Sequence, residues 1–208
     1  MYRRKLFDEI KSFLPKKEFV ILTGARQTGK STLLKQLQED CKKEGIPEIY
    51  ITLENKTFLA SFNENPLNLL TFLPVTERRV MVFIDEVQYL SDPSNFMKLL
   101  FDEYSTRLKI IASGSSAFYL DSRFRESIAG RNRIFHLPVC SFDEFLEIEG
   151  KQELLAEKTR LAEQPGAKSL QIDLLRMEWE NYMIFGGYPA VITEPDKKGK
   201  IARLQEIR

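Results

Sequence analysis

Gly24, Gly29, Lys30 and Ser31 stand in the order G-x-x-x-x-G-K-S within the stretch LTGARQTGKSTLL, residues 22–34. Each fixed residue type suits one task around a polyphosphate. Glycines accept positive φ and let the backbone approach anionic oxygens, so that amide N–H groups along Gly24, Ala25, Arg26, Gln27, Thr28, Gly29, Lys30, Ser31 and Thr32 can converge on phosphate. Lys30 would reach the β- and γ-phosphates, and the Ser31 hydroxyl would offer a ligand to Mg²⁺. Arg26 is a further cation for phosphate or for a partner. A helix opening here would turn its positive end toward the anion. The chemistry implied is binding of a nucleoside triphosphate.

Hydrolysis of such a ligand needs a metal, a polarised water and cationic charge on the transferred group. The apolar run RVMVFIDE, residues 79–86, ends in two acids. Asp85 is placed to hold Mg²⁺ directly or through its waters, and Glu86 to polarise the attacking water. A GTPase would carry Asp-x-x-Gly here and Asn-Lys-x-Asp for guanine; this chain has DEVQ, and NKTF at Asn55, which disfavours guanine. In ASGSSA, residues 112–117, Ser113 or Ser115 could contact the γ-phosphate or the water, between the two nucleotide-contacting strands. Arg131, in a turn before the last strand, is a candidate arginine finger, in competition with Arg123, Arg125 and Arg133. Such a finger is worth about 10³ to 10⁵ in rate. In FGGYPAV, residues 185–191, Tyr188 and Pro189 could clasp the adenine, or simply end a helix and turn.

The elements that position these residues follow from hydrophobic pattern. Strands are predicted over Phe19 to Thr23, Pro47 to Glu54, Arg79 to Glu86, the run LKIIASG and the run RIFHLP, with Arg79 to Glu86 nearly continuously apolar as in a parallel sheet covered on both faces. A helix follows the glycine loop with Leu33, Leu34 and Leu37 inward. Between Glu54 and Leu67 the reading is a polar turn, then weak helix to Phe72. Asp92 and Pro93 have the N-cap and first-turn signature of a helix. Strands alternating with helices predict an α/β fold with a parallel five-stranded sheet. After Pro138, the SFDE run, Ser141 to Glu144, has the pattern of a capping box, a polar helical connector follows, and Leu174, Leu175, Trp179, Tyr182 and Met183 are expected on one face of a helix stopped by Gly186 and Gly187. The expected division is a nucleotide-binding core over 1–140 and a small helical lid with the start of a C-terminal region over 141–208.

With 208 residues, 43% hydrophobic and 29% charged, the chain can bury a substantial core. Its 31 basic and 30 acidic residues give a net charge of +1, so bulk electrostatics favour neither nucleic acid nor membrane. Arg3, Arg4, Lys5, Lys16 and Lys17 are expected on a solvated face. No apolar run reaches membrane-spanning length, and Asp8 and Glu9 interrupt the segment where a signal peptide would be hydrophobic. A cytoplasmic protein is expected, with Cys41 and Cys140 as free thiols. The single histidine, His136, excludes a multi-histidine metal site and is expected to pack within a strand.

Taken in order, GARQTGKSTLL, VFIDEVQ, ASGSSA, SIAGRNRIFHLPVCSFDEFL and GGYPAV resemble the prokaryotic AAA-type ATPases of the archaeal-ATPase kind, over nearly the whole chain. That resemblance implies Mg²⁺-dependent binding and hydrolysis of ATP, with Gly24, Gly29, Lys30 and Ser31 as Walker A, Asp85 and Glu86 as Walker B, Ser115 as sensor and Arg131 as finger. It also implies a C-terminal domain beyond Arg208, a protein client or effector domain, and homo-oligomers. Gly187, Tyr188 and Pro189 look like the Gly-x-Pro loop of the related STAND switch ATPases, which touches the base. The alternative implied is therefore a nucleotide-operated switch with slow hydrolysis.

Overall fold

The computed structural model describes residues 2–115, 129–164 and 166–207. They form two compact units, one of residues 5–25 and 29–137, the other of 1–4, 26–28 and 138–208.

In the first unit, five strands make a wholly parallel sheet: β1 Phe19–Gly24, β2 Glu48–Thr52, β3 Val80–Asp85, β4 Leu108–Ser115 and β5 Asn132–His136, in the order β2-β3-β4-β1-β5. Every residue of β1 and β3 is buried. The pleat explains why these strands read as unbroken apolar runs: alternate side chains serve two different cores. Phe19, Ile21, Val82, Ile84 and Ile110 point to one face, under α3 Lys56–Glu64, a 3₁₀ helix Pro66–Phe72 and α4 Pro93–Tyr104. Val20, Leu22, Met81, Phe83 and Ile111 point to the other, under α1 Leu6–Phe13 and α2 Lys30–Lys43.

Two of these helices go beyond the predicted elements. α1 buries Phe7 and Ile10, with Leu14 completing an i, i+3, i+7 stripe. α3 replaces the polar turn expected after Glu54: the Asn55 side chain accepts the Thr57 N–H at 2.9 Å and so caps the helix, and Phe62 is its buried anchor. The Asp92 cap and Pro93 start of α4 stand as read. Arg4 departs from the solvated face predicted for it, being only 7% exposed, whereas Arg3, Lys5, Lys16 and Lys17 are exposed. His136 likewise does not pack inside the sheet; it is exposed on edge strand β5.

A charged side chain lies inside this unit, beneath the turn between α1 and β1. Lys109 on β4 is fully buried, and its ammonium donates to the carbonyls of Phe13 at 2.7 Å, Lys16 at 3.0 Å and Glu18, tying the turn between α1 and β1 to the sheet. Burial first, then the charge of Arg79, bring its pKa down to about 7. The unfolded chain, with a lysine pKa of ~10.4, binds more protons above that value, so stability rises with pH across the window. Between pH 7 and 8.5 the gain is expected to reach up to about 1.5 kcal/mol. Urea unfolding at the two pH values measures it. Lys109→Met should flatten the slope, and an equal slope in both proteins would rule out Lys109 as its source.

The second unit is helical: α5 Phe142–Ile148, α6 Gln152–Glu163, α7 Ile172–Phe185, α8 Pro189–Ile192 and α9 Lys197–Glu206. Ser141 and Glu144 form the capping box, each side chain bonded to the other residue's backbone N–H. Cys140, Phe145, Leu146, Leu175 and Ile192 make its core. The inward face of α7 differs from the one predicted. Leu175, Glu178 and Tyr182 turn in, while Leu174, Trp179 and Met183 are 50%, 46% and 64% exposed. Glu178 hides the stripe because it is polar yet buried, held by Lys151 at 2.5 Å. Gly187 has a packing reason: a Cβ there would stand 2.1 Å from the Cys140 carbonyl oxygen. Cys41 and Cys140 are free and buried, and burial pushes both thiols up to about 11. No helix among the described residues is long and apolar enough to cross a membrane.

Candidate nucleotide site

The glycine loop leaves β1 at Gly24 and enters α2 at Lys30, the strand-to-helix turn expected from sequence. Gly29, the N-cap, has φ 95°, and Gln27 holds the left-handed region at φ 61° without being glycine. A non-glycine residue there is uncommon and points to a loop shaped by its surroundings. Arg26 and Gln27 are exposed, Thr28 is buried, and Thr32 faces out on the first turn of α2. Lys30 is 6% exposed, and its ammonium donates to the carbonyls of Gly24 at 3.1 Å and Ala25 at 2.7 Å, within its own loop.

At the tip of β3, Asp85 is 6% exposed and both of its oxygens are engaged. The Tyr50 hydroxyl donates to Oδ2 at 2.9 Å and the Ser113 hydroxyl to Oδ1. Burial, reinforced by the Asp85 charge, pushes the Tyr50 phenol well above its ordinary pKa, so it remains a donor. The next residue, Glu86, sits at φ 62°, the second non-glycine residue in the left-handed region. Its N–H donates to Ser113 Oγ at 3.2 Å. Gln88 completes the cluster: its amide nitrogen donates to the Glu86 carboxylate, and its amide oxygen accepts the Ser115 N–H at 3.2 Å.

Sheet order explains why these groups meet. β4 lies between β1 and β3, and its register sets Leu22 beside Ser113 and Gly24 beside Ser115. Ser113 is therefore the serine bonded to Asp85, while Ser115 stands at the strand end level with the first glycine of the loop. Tyr50 and Gln88 were not visible as site residues in the sequence. Tyr50 reaches Asp85 only through the β2–β3 register, which aligns Thr52 with Asp85.

Arg131 lies elsewhere. Its carbonyl accepts the Phe19 N–H at 2.9 Å, which fixes it at the start of β1, at the sheet edge opposite the glycine loop. Its guanidinium forks onto Asp102 of α4 at 2.7 and 3.1 Å and holds that carboxyl below its usual range. Arg133 is exposed on β5, with its guanidinium 5.5 Å from the Phe13 ring centre. Arg123 and Arg125 lie outside the described residues. Tyr188 is the N-cap of α8 and Pro189 its first residue, in the helical unit.

Ser31 and Asp85 supply a hydroxyl and a carboxylate, hard oxygen donors of the kind that bind Mg²⁺. Among the described residues no group of three or more His, Cys, Asp or Glu side chains could form a cage for a metal. A few protein oxygens completed by water and phosphate suit Mg²⁺, which dehydrates reluctantly.

A family profile described as an AAA domain matches residues 16–146, well over half the chain and the whole of the sheet. The chain belongs to this AAA domain family. As an AAA domain it is 25% identical over 185 residues to an uncharacterized protein of Haemophilus influenzae, covering 86% of this chain and 42% of that protein. It is 30% identical over 145 residues to an uncharacterized protein of Methanocaldococcus jannaschii, covering 63% of this chain and 28% of that one. The chain thus spans less than half the length of these curated relatives. Among solved structures, PCH-2 of C. elegans superposes with a TM-score of 0.58 at 14% identity, covering 100% of this chain and 69% of that one. The ORC1 protein of Aeropyrum pernix, solved with DNA, gives 0.48 at 13% identity, covering 97% and 64%. The likeness to PCH-2 is one of fold, in keeping with the AAA profile.

Proposed function

We propose that this AAA domain binds ATP with Mg²⁺ and hydrolyses its terminal phosphoryl bond. The observation that carries the reading is the hydrogen-bonded cluster of Asp85, Glu86, Gln88, Ser113 and Ser115, at the same sheet edge as Gly24 and Lys30. That edge holds the carboxyl ends of the strands, where open α/β sheets bind ligands.

On this reading Lys30 exchanges its loop carbonyls for the β- and γ-phosphate oxygens, meeting anionic acceptors where it now meets neutral ones. Ser31 and Asp85 hold Mg²⁺, which when bound neutralises charge on the phosphates. Tyr50 and Ser113 orient the Asp85 carboxylate from behind. Glu86 orients and polarises the attacking water, and Ser115, level with Gly24, takes the sensing position at the strand end. The same groups serve the alternative, a slow nucleotide-operated switch; the observation favouring that use is that Gln88 already occupies the Glu86 carboxylate. Turnover rate separates the two uses.

The direct test is Lys30→Ala. Hydrogen bonds to charged groups contribute about 1.5–3 kcal/mol, so ATP affinity should fall on the order of 10- to 100-fold with the fold intact. Calorimetric titration with Mg·ATP measures this, and unchanged affinity would remove the glycine loop from the binding site.

A further inference from the structure

Arg4 is a buried cation that the reading above leaves without a task. It is 7% exposed, precedes α1, and uses three of its nitrogens on three acceptors. Nε donates to Glu144 Oε1 at 2.9 Å, Nη1 to the Thr28 carbonyl at 2.7 Å and Nη2 to the Pro138 carbonyl at 2.8 Å. The Glu144 carboxylate balances the charge, and its second oxygen accepts the Ser141 N–H in the capping box. Arg4 is thereby held by a helix start that is itself locked.

The Thr28 carbonyl is not an ordinary acceptor. It belongs to the same peptide plane as the Gly29 N–H, and that peptide is trans, so the two groups point in opposite directions. Holding the oxygen from one side fixes the direction of the N–H on the other. Anion recognition by a glycine loop requires its N–H groups turned inward, which leaves the carbonyls turned out. Gly29, at φ 95°, is also the residue whose backbone is least able to set its own orientation. A cation on the carbonyl further polarises the peptide and makes the N–H a stronger donor.

We propose that Arg4 is a positioning residue for phosphate recognition: through the Thr28 carbonyl it orients the Gly29 N–H toward the bound anion. The inference rests on the nucleotide-binding reading of the glycine loop. Arg4→Lys keeps the charge but loses the planar fork, and a single ammonium beside Glu144 gives up the two carbonyls. Glu144→Gln does the reverse, removing the ion pair while leaving the guanidinium on Thr28.

The test measures both variants and the wild type by calorimetry with Mg·ATP and with inorganic tripolyphosphate, by thermal unfolding, and by the ¹⁵N–¹H resonance of the Gly29 amide without ligand. Arg4→Lys should weaken both ligands about tenfold and shift the Gly29 resonance. Glu144→Gln should lower the unfolding temperature yet keep both affinities within about twofold, because only a salt bridge between folded elements is lost. Equal affinities and an unmoved Gly29 resonance in Arg4→Lys would overturn the proposal and leave Arg4 a purely structural clamp. If Arg4→Lys does not fold, Arg4→Gln combined with Glu144→Gln buries no unpaired charge and takes the same measurements with the same expectation. Wild-type protein that binds no ATP would overturn the nucleotide reading instead, and the ligand-free Gly29 resonance would still decide whether Arg4 sets that peptide.

Discussion

Glu86→Gln is expected to bind Mg·ATP almost as the wild type does and to hydrolyse it about 10²–10⁴ times more slowly. The amide keeps the size of the side chain and its bond to Gln88, but it loses the basic oxygen that draws on the water proton. The backbone argues for the role as well. A glutamate at φ 62° is strained, and here the strain is held by the Ser113 hydroxyl on the Glu86 N–H and by Gln88 on its carboxylate. A residue that only ended a strand would have no reason for this double restraint. Phosphate release under saturating ATP, alongside equilibrium binding, separates the two effects. Normal turnover in Glu86→Gln would transfer water activation to another group, and lost binding would show that Glu86 supports the loop rather than the water.

The parts of this site legible in sequence are those whose chemistry is local. The glycine loop and the Asp85–Glu86 pair announce themselves because spacing along the chain equals position in space. Partners brought together by the sheet do not. Ser113 and Ser115 are equivalent in sequence, and only the register beside Asp85 and Gly24 assigns one to the carboxylate and the other to the loop level. Tyr50 reads as one more strand aromatic until β2 is laid beside β3. Arg4 reads as one of several basic residues near the chain start, because its acceptors lie 24, 134 and 140 residues away. Among elements, the apolar strands and the caps of α4 and α5 are legible, whereas α3 is obscured by its polar surface despite its Asn55 cap, and α7 shows only Leu175 and Tyr182 of its predicted face turned inward because Glu178 conceals the rest of the stripe. In α7 a buried polar group breaks the periodicity that would otherwise reveal the inward side; in α3 a single buried residue, Phe62, leaves too little apolar pattern to show one.

Arg131→Ala is expected to keep ATP binding and to lose hydrolysis by about 10³ to 10⁵ if Arg131 serves as the arginine finger proposed for it. Position decides whose nucleotide it would serve. Its carbonyl is bonded to Phe19, five residues before Gly24 along β1, and at ~3.3 Å per residue that is roughly 16 Å of strand. No arginine side chain spans that distance, so its own loop is out of reach and only a neighbouring copy could present a γ-phosphate to it. The fork onto Asp102 is the competing use: a guanidinium already matched by one carboxylate must exchange it for phosphate, which carries more charge and also offers two oxygens to the fork. Three measurements distinguish a finger from a static surface pair. Activity per chain should rise with protein concentration as copies associate. Arg131→Ala mixed with Glu86→Gln should recover part of the lost activity, because some mixed interfaces pair an intact finger with an intact water-activating site. Asp102→Asn, which frees the guanidinium, should hydrolyse at least as fast as the wild type. Flat specific activity across a wide dilution series, no recovery on mixing and unaltered turnover in Arg131→Ala would leave Arg131 as the partner of Asp102 alone.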